Sequence, residues 1–180
     1  MLAGHGNDAI WTHGGDDLVV LQGGDNTVFA GAGDDTIFLE GGRSVVAGDL
    51  GSDVFVVRNG PGVSDKILGF ETGSDVVDLT NYAGLTYQDL IVGEADDSGN
   101  LTIALGDDPN AYVLEIAVNG EQPDHASLEE MFIFSDDGTP QNHEDWDIDN
   151  IFQENSVPAE TFLETEAQAE NDLDSLHCLA

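Results

Sequence analysis

Carboxylates recur along the first third of this chain at a fixed distance from glycines. Gly stands at 6, 15, 24, 33, 42 and 51, an unbroken spacing of nine residues. Two residues after each glycine come Asp8, Asp17, Asn26, Asp35, Ser44 and Asp53. Oxygen donors at the ends of Gly-rich loops suit a hard cation, which takes about six to eight oxygens. Glycine tolerates positive φ, so a short loop of it can turn successive backbone carbonyls toward one point. An aspartate closing the loop adds charge. Asp16, Asp25 and Asp34, one place earlier, read as solvated turn residues.

Something must hold these loops in one register. Four residues after each glycine stand Ile10, Val19, Val28, Ile37, Val46 and Phe55. Each nonad is thus a polar loop followed by a short apolar stretch such as Thr36-Ile37-Phe38, the pattern of a strand in a solenoid coil. Alternate strand residues face opposite sides, so that column faces inward. The next one, Trp11, Val20, Phe29, Phe38, Ala47 and Val56, faces outward and, with Leu21 and Leu39, predicts an apolar outer wall.

Ala30-Gly31-Ala32-Gly33-Asp34-Asp35-Thr36-Ile37-Phe38 resembles the calcium-binding nonapeptide of RTX (hemolysin-type) proteins. Asp65, Ile67, Phe70, Gly73, Asp75, Val77, Asp78 and Leu79 resemble the run that follows the repeats in that family. The resemblance covers residues 3 to 134. It implies an all-β fold: a right-handed parallel β-roll solenoid in which two nonads make one coil and Ca2+ sits between loops 18 residues apart. Ca2+ would then be held by Asp17, Asp35 and Asp53 on one edge, with loop carbonyls around Gly15, Gly33 and Gly51. Asp8 and Asn26 would contribute on the other edge, weakly, because Ser44 brings no charge and Arg43 repels a cation. Asp65, Asp75 and Asp78 are further candidate contacts.

Three regions follow. Residues 3–57 are the nonapeptide roll. Residues 58–134 are a small β-rich C-terminal cap: 101–105 and 113–118 read as a hairpin, and Ser127-Leu128-Glu129-Glu130 reads as a capping box starting a short helix before Phe132. Residues 135–180 carry 13 acidic residues and no Lys or Arg, a composition that predicts an acidic, disordered tail. Asp145, Asp147 and Asp149 have the alternate spacing of an EF-hand loop, but Asn150 and Ser156 stand where its Gly and bidentate Glu belong.

Charge excludes whole classes of partner. With 37 acidic residues against Arg43, Arg58 and Lys66, the net charge is -34, which opposes binding to nucleic acid or anionic membrane. No apolar run approaches the length of a transmembrane segment, the first residues carry no secretory signal, and the lone Cys178 has no disulfide partner. Family members leave bacteria through a type I secretion exporter that reads an uncleaved C-terminal signal, so the resemblance implies a secreted, extracellular protein with the exporter as a partner and the signal in 135–180. Nothing reads as catalytic. His5, His13, His125, His143 and His177 have no metal-ligand spacing, and no Ser lies in a nucleophile elbow. The family appends such repeats to proteases, lipases, epimerases and toxins, and the first nonad begins at Ala3, so a fragment of a secreted enzyme or toxin with its catalytic domain upstream is the alternative. An adhesive solenoid would want an outward Thr column, which only Thr27 and Thr36 supply.

Overall fold

The computed structural model describes residues 1–135 apart from 94, 97, 121 and 122. Its strands are β1 Leu2–Ala3, β2 Ala9–Gly14, β3 Leu18–Leu21, β4 Thr27–Ala32, β5 Thr36–Leu39, β6 Val45–Leu50, β7 Val54–Val57, β8 Ser64–Phe70, β9 Val76–Asp78, β10 Leu90–Val92, β11 Asn100–Leu105, β12 Val113–Val118 and β13 Phe132–Ile133. Helix α1 spans His125–Glu130. The expectations for the 135–180 tail, including its Asp triplet, secretion signal, His143, His177 and Cys178, fall, Ser135 apart, outside the described residues.

The strands form a parallel β-solenoid with two walls. One wall runs β1-β3-β5-β7-β9-β13 and the other β10-β11-β12-β8-β6-β4-β2. Through the nonads each residue pairs with the one 18 positions later, as in Leu18↔Thr36 and Thr27↔Val45. This register stacks like on like. Ile10, Val28, Val46, Ile67 and Ile116 align down one wall. Val19, Ile37, Phe55, Val77 and Phe132 align down the other. All ten lie in the buried core between the walls. Full burial of a side chain such as Phe55 stabilises the fold by about 2 to 3 kcal/mol, so a one-residue slip, which would turn a whole column outward, is strongly opposed.

The outer-wall expectation needs two corrections, the first being that Val20, Phe38, Ala47 and Val56 of the outward column are buried, at 0%, 1%, 3% and 6% exposure. The second is that Leu21 and Leu39 are core residues, at 0% and 1% exposure. They lie two places after Val19 and Ile37 and so share their side of the pleat. Trp11 is on the outside, 56% exposed and stacked on Phe29 at 6.2 Å.

The solenoid continues beyond the nonads. β8 pairs with β6 and β9 with β7, and β12 and β13 add a further parallel layer. The 101–105 and 113–118 hairpin is present as β11 and β12, antiparallel. The short helix is present too, but Asp124 and not Ser127 is its N-cap: the Asp124 carboxylate accepts the Ser127 N–H at 2.9 Å. Two of the three basic residues are in ion pairs, Arg58 with Glu40 at 2.8 Å and Lys66 with Glu115 at 3.2 Å, and Arg58 also lies 4.7 Å over the Phe38 ring. No helix among the described residues is long and apolar enough to cross a membrane.

Candidate metal site at one loop edge

The two walls meet at two edges, and the candidate residues divide between them. One edge holds the loops Gly15–Asp17, Gly33–Asp35 and Gly51–Asp53, which join β2 to β3, β4 to β5 and β6 to β7. It therefore gathers Asp17, Asp35 and Asp53 with Gly15, Gly33 and Gly51. Asp8 and Asn26, with Ser44, lie on the opposite edge. The 18-residue register separates the two sets.

On the first edge the loops stack closely. Gly15 N–H donates to the Ala32 carbonyl at 2.8 Å, and Gly33 N–H to Leu50 at 2.9 Å. Gly51 has a φ of 138°, and a Cβ there would fall 2.1 Å from the Gly33 carbonyl oxygen. Only glycine fits. Side chains and backbone then interlock down the edge: Asp17 N–H donates to Asp35 Oδ1 at 2.7 Å, Asp35 N–H to Asp53 Oδ1 at 2.9 Å, and Asp53 N–H to Asp75 Oδ1 at 3.1 Å. A second ladder runs the other way outside it, with Asp34 N–H on Asp16 Oδ1 at 3.0 Å and Ser52 N–H on Asp34 Oδ1 at 2.9 Å. Asp16 and Asp34 are exposed, yet each fixes the next loop.

Each ladder bond uses one carboxylate oxygen and leaves the other. Asp35 and Asp53 are fully buried, and Oδ2 of each has no hydrogen-bond partner. Asp53 Oδ2 lies where Gly48 has no side chain; a Cβ on Gly48 would come within 1.8 Å of it. An ionised oxygen buried without a partner is costly. Burial, opposed by the Asp35 N–H and reinforced by the charges of Asp75, Asp35 and Asp34, pushes the Asp53 carboxyl up from the ordinary 3.8 to about 6. Burial also raises Asp35, beside Asp17, Asp16 and Asp34. A cation would satisfy such oxygens in kind. No group of three or more His, Cys, Asp or Glu side chains converges on one point among the described residues, so an ion here would draw on Asp35 and Asp53 and take its remaining oxygens from backbone carbonyls.

The same column ends at Asp75 in a different state. Its Oδ1 accepts from Asp53 N–H and its Oδ2 from Glu71 N–H at 2.9 Å, so both oxygens are satisfied. Asp65 continues the opposite edge: Oδ1 accepts the Ser44 N–H at 2.6 Å, and Oδ2 accepts from Asn59 Nδ2 and from Tyr112 Oη at 2.8 Å. Tyr82 Oη in turn donates to the Asn59 carbonyl. Burial raises Asp65 while these three donors hold it down, and burial next to Asp65 drives the Tyr112 and Tyr82 phenols well above their ordinary range. Asp78 Oδ1 accepts from Thr80 N–H at 2.8 Å.

Gly48, Asn59, Tyr82 and Tyr112 were not singled out by the sequence pattern. Gly48 had a signal: it occupies the nonad position held by Thr12 and Ala30 in the earlier coils of the same edge. The other three lie outside the nonads and carried none.

No family model matches the chain, and no curated protein matches it. Among solved structures it is similar to the solution structure of the AlgE6R3 subunit from the Azotobacter vinelandii mannuronan C5-epimerase, at 21% identity and a TM-score of 0.51, over 72% of this chain and 80% of that one. The likeness is one of fold, and it places this chain among parallel β-solenoids of that shape.

Proposed function

We propose that the chain is a calcium-binding module of the RTX-like β-roll type, right-handed, from a bacterial protein secreted by a type I exporter. On this reading it performs no reaction of its own, and calcium outside the cell drives its folding. The observation that carries the reading is the pair of buried, unpartnered oxygens on Asp35 and Asp53. A bound divalent cation supplies the positive charge that these oxygens lack. Asp35 and Asp53 hold it, Asp17 adds charge from the preceding loop, and the Gly-rich loops bring their carbonyls to it.

Where calcium is scarce, the stacked carboxylates repel and oppose coil formation. Where it is plentiful, binding to the folded state alone adds stability by mass action. At about 5 mM calcium and a Kd of about 10⁻⁴ to 10⁻³ M, each site adds about 1 to 2 kcal/mol, a meaningful share of a marginal fold. The solved structure it resembles is, by its title, a subunit of an epimerase, which favours an appended module over a self-contained enzyme.

Far-UV circular dichroism of the full chain through a calcium titration from chelator, with magnesium as control, tests this. A rise in β structure near millimolar calcium, absent with magnesium and lost in the D17N/D35N/D53N variant, is expected. A spectrum and urea midpoint indifferent to calcium would overturn it.

A further inference from the structure

The opposite edge has the same loop geometry and none of the unpartnered oxygens. Asn26 stands at the nonad position of Asp35 and Asp53, is buried, and accepts the preceding coil's N–H through Oδ1 as they do, from Asp8 at 3.0 Å. Its other δ atom differs. Asn26 Nδ2 donates to the Gly23 carbonyl at 3.2 Å and the Gly24 carbonyl at 3.4 Å, and reaches Ser44 Oγ at 3.5 Å. The carbonyls that a cation between these loops would draw on are already turned to an N–H donor. Below it the edge is closed in the same manner: Ser44 N–H is on Asp65, and Asp65 is saturated by Asn59 and Tyr112. Gly41 N–H also donates to Asn59 Oδ1.

We infer that the Asn26 carboxamide takes the place of a metal ion on this edge, so that it closes without calcium and the residue at position 26 limits how many ions the module holds. The inference rests on the calcium reading of the Asp35 edge and refines it. The physical basis is charge. An amide nitrogen is a neutral donor that loop carbonyls satisfy directly, whereas a carboxylate oxygen in its place adds an acceptor to a set of acceptors and creates demand for a cation. Arg43, exposed in the next loop of this edge beside Ser44 and with its N–H on Asp25 Oδ1 at 3.2 Å, adds positive charge and disfavours a second cation there.

Native mass spectrometry in calcium, counting bound ions on the full chain, reads the inference directly. The D35N/D53N variant should lose every ion that the wild type holds. N26D should gain one ion over the wild type, and that ion should persist in N26D/D35N/D53N. A manganese-substituted sample gives an independent measure without substitutions: paramagnetic relaxation, which falls steeply with distance, should be much faster at the amides of Asp17 and Asp35 than at those of Ser44 and Val45.

An ion retained by D35N/D53N and removed by N26A would overturn the inference. So would N26D gaining no ion, N26D failing to fold at any calcium level, or relaxation at Ser44 as fast as at Asp35. A wild type that binds no ion defeats the calcium reading of the Asp35 edge, while the gain or absence of an ion in N26D still decides the role of Asn26.

Discussion

Replacing Asp53 with Asn should change the sign of its effect on stability according to whether calcium is present. Asn keeps the Oδ1 that accepts the Asp35 N–H and replaces only the unpartnered Oδ2. Without metal, the wild-type carboxyl sits at about 6 in the fold against an ordinary 3.8, so at pH 7.5 ionising it opposes folding by at most about 3 kcal/mol. Solvent at the loop edge screens part of that, leaving about 1 to 2 kcal/mol. The carboxamide removes that charge and keeps the Oδ1 bond, so D53N should be stabilised in chelator by about that amount. In about 5 mM calcium the variant should instead lose the about 1 to 2 kcal/mol of a bound ion. The assay is an equilibrium series running from urea through buffer into TMAO, followed by circular dichroism. The osmolyte strengthens the compact state and brings a chain that is unfolded in chelator onto its transition. A D53N midpoint lowered equally in chelator and in calcium would refute the reasoning and leave Asp53 as an ordinary turn residue.

Two further outcomes follow from the same residues. Because Asp53 titrates higher in the fold than in the unfolded chain, the metal-free fold binds more protons between about pH 4 and 6. Its stability should therefore rise on acidification through that window and be lost as pH rises past about 6, as chelator-state denaturation at pH 5 and 7.5 would read. Protons and calcium compete for that carboxylate in the folded chain, so in TMAO, where the metal-free chain is already folded, the calcium Kd at pH 5 should lie about tenfold above its value at pH 7.5; a Kd independent of pH would exclude Asp53 as a ligand. Tyr112→Phe removes the donor to buried Asp65 Oδ2 and should cost about 1 to 3 kcal/mol. That cost should be equal in chelator and in calcium, because Asp65 is satisfied by protein donors; a cost confined to calcium would make Asp65 a metal contact.

The columns were legible because an 18-residue coil preserves both the pleat and the loop register. Asp17, Asp35 and Asp53 fall on one edge once the resemblance supplies two nonads to each coil. Counting fails where the loops lengthen. Ser44 bonds Asp65 across 21 residues and Asp53 bonds Asp75 across 22, so the two aspartates that end the columns are out of phase with the nonads. Their state was not legible either. Whether an aspartate keeps an unpartnered oxygen or is saturated depends on donors brought from elsewhere, such as Asn59 and Tyr112, which no spacing announces. The same holds at α1, where a helix-starting pattern at Ser127 was visible but the Asp124 side chain caps it first.

The difference between the edges comes down to one atom per loop. Asn26 and Asp53 share a position, a backbone setting and an Oδ1 bond, and differ in whether δ2 is a donor or an anion. The net charge of -34 is secondary to this, since charges more than about 8 Å apart are screened at physiological ionic strength. Adjacent coils stack about 4.8 Å apart, inside that range, so successive carboxylates on one edge repel by about 1 kcal/mol in bulk water and about 3 kcal/mol at an effective dielectric near 20. Dissolved monovalent salt relieves the exposed Asp16 and Asp34 but gives nothing to the buried Asp35 and Asp53 oxygens, which need a partner within the loop. On the calcium reading, a cation requirement is thus confined to one edge of a solenoid whose other edge, built on the same repeat, has none. The residue two places after each loop's glycine, Asp or Asn, decides which.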